Sequence, residues 1–93
     1  MNLAAFEQDQ KTYDAVERCL ERISEAAAKL GDLASALMPE QPWHKVRALG
    51  NRLRHEYDAI RADRLWAIVQ IDLPALCAAC EDALRRVREA KGP

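Results

Sequence analysis

The sequence predicts an all-α fold, an antiparallel helical bundle, on three observations. Seventeen alanines stand against nine β-branched residues, a ratio that suits helices because alanine loses least on entering a helix and β-branched side chains pack best in strands. Glycines and prolines fall at a few places and divide the 93 residues into three long segments. Within those segments apolar residues recur every three or four positions, the seam of a helix packed on other helices. A chain of this length makes one domain, 1–93.

The first helix is expected over about 7–30. Its apolar residues Tyr13, Val16, Leu20, Ile23, Ala27 and Leu30 are spaced 3, 4, 3, 4, 3, and Gly31 is a plausible left-handed end. A connector over 31–42 contains Pro39 and Pro42, and its stretch 32–38 makes one or two helical turns. The second helix opens at Pro42 or Trp43, since proline is tolerated in a first turn. Val46, Leu49, Leu53 and Tyr57 form its core face. A third helix is expected over about 63–91, with Asp63 as its N-cap. Pro74 should kink it by removing a backbone donor. Its buried stripe is Leu65, Val69, Leu73, Leu76, Cys77, Cys80, Leu84 and Val87. Trp43 and Trp66 read as packing anchors, because no aromatic interleaves with the arginines.

Composition excludes several functions. Fourteen basic and fifteen acidic side chains leave a net charge of −1, so bulk charge does not make the chain a general polyanion binder. No apolar run approaches the roughly 18 residues of a membrane span, and Met1 opens no basic-then-apolar leader; a soluble, cytoplasmic protein is expected. Three cysteines, an odd number, point to reduced thiols. Cys77 and Cys80 have a C-x2-C spacing but no second pair to complete four ligands. Core packing is the reading preferred over metal or redox chemistry, and no cofactor is expected.

Charge is unevenly placed. Residues 1–41 carry eight acidic and four basic groups, whereas 44–64 carry six basic groups against three acidic ones. Such a local patch suits one or two phosphates; its plainer meaning is a solvated helix face. On the second helix Arg47, Asn51 and His55 recur at i, i+4 and i+8. With His44 they share a wedge of about 80° opposite the core face. Asparagine is a poor helix-interior residue. Arginine can hold a phosphate bidentately, histidine can move a proton near neutral pH, and asparagine can orient either group. The set suits RNA cleavage, in which the 2′-hydroxyl is an internal nucleophile and no metal is needed to supply one.

The segment GNRLRHEYD at 50–58 resembles the signature of HEPN domains, in particular their HepT-like ribonuclease toxin branch: Arg, four to six residues, His, often with Asn after the Arg and Tyr two after the His. The flanks ISEAAAKL (23–30), PW (42–43) and RLWAIVQIDLPAL (64–76) are similar to the family as well. The resemblance covers about residues 6–88. It implies a helical bundle that dimerises with motif helices facing each other, a metal-independent RNA endonuclease, and a minimal nucleotidyltransferase antitoxin as partner. That partner can block the toxin by adding adenylate to the motif tyrosine. Residue by residue, His55 becomes the catalytic histidine, Asn51 the motif's polar residue and Tyr57 the modifiable tyrosine.

Two departures stand out. The family arginine falls at Gly50 in the commonest spacing, and Arg47 and Arg54 are the two side chains long enough and near enough on the wheel to present a guanidinium there. Family members also usually carry a further helix before the segment corresponding to Glu7, and a bundle without it needs association with another chain. The alternative function is a catalytically inactive HEPN adaptor that keeps the nucleotidyltransferase partner. On that alternative, an arginine restored at position 50 creates activity.

Overall fold

A computed structural model describes residues 1–55 and 61–92, the His55 side chain excepted. Among the described residues there is helix and no strand, in agreement with the all-α expectation. The elements are α1 (Leu3–Glu7), α2 (Gln10–Leu30), α3 (Asp32–Leu37), α4 (Trp43–His55), α5 (Ala62–Ala67), a π-helical turn (Ile68–Asp72) and α6 (Leu73–Lys91). No helix among the described residues is long and apolar enough to cross a membrane.

The first long helix starts at Gln10 rather than near Glu7. Asp9 stops the preceding turn by capping: its carboxylate accepts the Thr12 N–H (3.1 Å) and the Thr12 hydroxyl (2.7 Å). Those bonds favour the charged form and hold the Asp9 carboxyl below its ordinary range. Upstream, Asn2 caps the separate helix α1 through the Ala5 N–H (2.9 Å). As expected, α2 ends at Gly31, whose φ of 55° lies in the left-handed region that glycine enters freely.

The expected third helix runs without a break as α5, the π-helical turn and α6. It begins at Ala62 with Arg61 as N-cap, while Asp63 sits in the first turn and accepts from the Arg61 guanidinium (3.1 and 2.8 Å). Pro74 lies inside a run whose backbone is helical on both sides of it, Ala67, Ile68, Asp72 and Leu73 all being right-handed. The π-helical turn widens the backbone just before it, and Pro74 falls in the first turn of α6, where the wider turn makes room for the ring.

Two apolar clusters hold these elements together. Phe6, Tyr13, Leu20 and Leu65 form one, with Trp66 packed against the Phe6 ring at 5.4 Å between centroids. Burial, then the neighbouring Glu17 charge, raises the Tyr13 pKa. Ala27, Ala34, Met38, Trp43 and Ala83 form the second. Trp43 buries its ring and donates its Nε1–H to the Met38 carbonyl (2.8 Å), so the connector is pinned where α4 starts. Both tryptophans are packing anchors, as anticipated.

Three residues of the expected core are exposed: Leu30, Cys77 and Leu84. For Leu30 and Cys77 the reason is that α6 does not close onto this part of α2. An open apolar groove of about 280 Å³ separates them, lined in part by Ile23, Leu30, Leu76 and Cys77. The described residues extend 50 × 28 × 19 Å, and the thinnest dimension holds two helices of about 10 Å diameter. Cys77 donates to Glu81 (3.5 Å), and this bond together with the carboxylate charge raises the thiol pKa, away from the thiolate that redox chemistry requires.

The tightest packing is between α2 and α4. Gly50 is buried in the middle of α4, and a Cβ built on it would overlap both Cβ and Oγ of Ser24. Ser24 is itself buried, and its hydroxyl donates to the Arg47 carbonyl (3.3 Å). Gly50→Ala should therefore lower stability by about 1–3 kcal/mol through overpacking, although alanine is the better helix former by about 1 kcal/mol. Urea unfolding measures it, and an unchanged or raised midpoint would show that the helices do not meet at this glycine.

Candidate functional site

Trp43 starts α4, and the Pro42 carbonyl accepts the N–H groups of Lys45 (3.0 Å) and Val46 (3.1 Å). The helix then presents three different sides. Trp43, Val46 and Gly50 face α2 and the connector, whereas Leu49 and Leu53 join the cluster that includes Leu65 and Ile68. The remaining side is open to solvent and carries His44, Lys45, Ala48 and Asn51, all exposed.

Asn51 and His44 thus lie where the polar row placed them. Arg47 does not. It is half-buried at the edge facing α2, and its Nη2 donates to the Gly31 carbonyl (3.0 Å) at the end of α2. Its Nε is buried without a partner among the described residues. The helical wheel explains the shift: Arg47 is only about 40° from Trp43, on the side that turns inward once Gly50 brings α2 close. A guanidinium there satisfies a helix-terminal carbonyl and the negative end of the α2 dipole.

Arg54 is the other candidate for the guanidinium absent at position 50. It is exposed, and its Nη1 lies 3.3 Å from the point a Cβ of residue 50 would occupy. One turn separates the two residues on the same face. The bare backbone of Gly50 leaves room for that head group. The same geometry bears on the arginine restoration attached to the adaptor alternative. A side chain restored at position 50 would collide with Ser24, so an arginine there cannot be added without parting α2 from α4. Position 50 is a packing position in this chain, and the wheel already hinted at it, since Gly50 lies about 40° from Val46 on the apolar face.

His55 is the last residue of α4; its side chain and the whole of Tyr57 lie outside the described residues. Among the described residues no group of three or more His, Cys, Asp and Glu side chains comes together to hold a metal ion.

The two arginines should separate in stability. Arg47→Ala breaks a charge-assisted bond that ties α4 to the end of α2, a loss of about 1.5–3 kcal/mol. Arg54→Ala, on the exposed side, should move stability by no more than about 0.5 kcal/mol. Thermal unfolding of the two variants side by side checks this, and equal midpoints would refute the structural role of Arg47.

The sequence profile of the HepT-like ribonuclease family matches residues 1–83. Over 68 residues the chain is 37% identical to a protein of Thermococcus cleftensis named "Probable ribonuclease HepT", covering 73% of this chain and 62% of that protein. Over 74 residues it is 35% identical to a Methanocaldococcus jannaschii protein assigned as an RNase, covering 80% and 61%. A second RNase-assigned protein of that organism is 37% identical over 62 residues, covering 67% and 57%. The chain therefore spans about three fifths of the length of the curated relatives it matches. No solved structure matches it. With the family profile spanning nearly the whole chain, from the first turn of α1 into α6, this protein belongs to the HepT-like ribonuclease family.

Proposed function

We propose that the chain is the toxin of a toxin–antitoxin pair and acts as a metal-independent RNA endonuclease. Arg54 beside Gly50 is the observation that supports this reading, because its guanidinium lies 3.3 Å from where a Cβ of residue 50, the usual place of the motif arginine, would stand. Arg54 holds the scissile phosphate and stabilises the charge that builds on its oxygens. His55 takes the proton from the 2′-hydroxyl of the substrate. The O2′ attacks phosphorus, the bond from phosphorus to the 5′-oxygen breaks, and the leaving oxygen picks up a proton. The products are a 2′,3′-cyclic phosphate and a free 5′-hydroxyl. Asn51, one turn before His55 on the exposed side, orients the phosphate or the imidazole. No step calls for a metal-bound nucleophile, since the substrate supplies its own.

The partner is a minimal nucleotidyltransferase antitoxin, which silences the toxin by adenylylating Tyr57, two residues past the catalytic histidine. A homodimer accords with the open apolar groove between α2 and α6, where Leu30 and Cys77 stand exposed. The adaptor reading is favoured by one observation, that residue 50 itself bears no cation.

Activity separates the two readings. The purified protein should cleave RNA in the presence of chelator and leave 2′,3′-cyclic ends. His55→Ala and Arg54→Ala should each lose about 10²–10⁴-fold in rate, while Arg47→Ala loses stability first. Magnesium dependence, or full activity of His55→Ala, would overturn the mechanism. Wild-type protein that cleaves nothing but still captures the nucleotidyltransferase would establish the adaptor. Sedimentation at micromolar concentration should give a species larger than the 10.5 kDa chain; a monomer refutes the dimer.

A further inference from the structure

Beside α4, on the side away from α2, an open cleft of about 430 Å³ runs between this helix and the α5–π segment. Lys45 and Arg52 of α4 line one wall, and Arg64 of α5 lies on the opposite one. Among the described residues that line it, Asp72 is the single carboxylate. Three cations and one carboxylate of the described residues thus line the cleft, in a chain whose net charge is −1. Lys45 and Arg52 are seven residues apart, which is two helical turns, about 10 Å along the axis and about 20° around it, so both project along one rim. Among the described residues neither Lys45 nor Arg64 is in an ion pair, whereas nearby Arg61 is spent on Asp63 (2.8 Å). Leu49 and Ile68 give the cleft an apolar floor.

The cleft also adjoins the candidate active site. Ala48 belongs to its rim, is exposed, and sits two turns before His55 at about 20° on the wheel. Ala48 contributes only a methyl group between the cleft and the line of Asn51 along α4. A volume of this size fits a nucleotide, and cations above an apolar floor match a phosphate joined to a ribose and base.

We propose that this cleft binds the single-stranded RNA backbone next to the cleaved phosphate, with Lys45, Arg52 and Arg64 contacting its phosphates. The proposal rests on the ribonuclease reading and adds the path of the substrate to it. It assigns Lys45 and Arg64 to binding and leaves the reacting phosphate to Arg54.

The test uses the full chain carrying His55→Ala, so that RNA survives, and a fluorescent unstructured RNA oligonucleotide as probe. Adding Lys45→Gln and Arg64→Gln together should weaken binding about tenfold or more at low salt. The slope of log affinity against log salt should fall by about 1.4, because each phosphate of a single strand that the protein ceases to neutralise lowers it by about 0.7. The charge-keeping pair Lys45→Arg and Arg64→Lys should retain the slope, and circular dichroism should show equal helicity in all variants. RNA cleavage by the wild type combined with unchanged affinity and slope in the Gln pair would overturn the cleft and leave the ribonuclease reading standing. Neither cleavage nor binding by any form would sink both. Retained RNA binding with loss only of nucleotidyltransferase capture would make the cleft a protein-docking site and overturn the proposal.

Discussion

Everything on α4 is placed by its contact with α2, and that contact depends on a residue with no side chain. A mid-helix glycine costs about 1 kcal/mol in propensity relative to alanine. At position 50 the loss is offset because the bare backbone lets Ser24 reach the Arg47 carbonyl and lets the two helices come together around it. Close approach strengthens every dispersion contact along the crossing. It also fixes the rotation of α4. Trp43 then reaches the Met38 carbonyl at one end, and Leu49 and Leu53 reach the Leu65 cluster on the other side.

Rotation fixed in this way assigns different work to cations that look alike in the sequence. Arg47 is turned toward the end of α2 and is taken up by the Gly31 carbonyl. Arg54, on nearly the same line but one turn past the crossing, stays exposed over Gly50. Lys45 and Arg52 fall on the far wall, facing Arg64 across a cleft. A protein of almost balanced charge can thus concentrate positive potential along one helix without being basic overall.

Much of this was legible in the sequence. Gly31 and Pro42 bound elements that form where the punctuation placed them, and the 3, 4, 3, 4, 3 seam of α2 buries Tyr13, Leu20 and Ala27. What escaped was local or long-range. The helix α1 is five residues long, too short for a periodic signal, so Phe6 was not anticipated although it is among the most buried side chains. The π-helical turn answers Pro74 by a backbone adjustment that no side-chain pattern encodes. Leu30, Cys77 and Leu84 lie on the right stripes, but periodicity cannot say whether a partner helix closes on them, and between Leu30 and Cys77 the groove stays open. The polar row was sound for His44 and Asn51 and misplaced Arg47 because the wheel gives angles, not which neighbouring helix comes nearest.

Position 50 carries the most consequence. Read as a motif, glycine in the place of arginine is a missing catalytic group; read as packing, it is a requirement of the α2–α4 crossing. The two meanings are connected through the stretch around Ser24 on α2, which presents a small side chain where α4 comes closest. Once the helices meet at that distance, a long side chain at 50 has no exit, because Ser24 already fills the space a Cβ would take. A guanidinium can then reach the same region only from a neighbouring turn on the same face. Position 46 is valine in the apolar cluster, and 47 is drawn to α2. Position 54 remains, one turn toward His55 and open to solvent. The geometry that excludes a long side chain from position 50 therefore leaves the Arg54 guanidinium beside it, which is why the proposed mechanism gives Arg54 the phosphate.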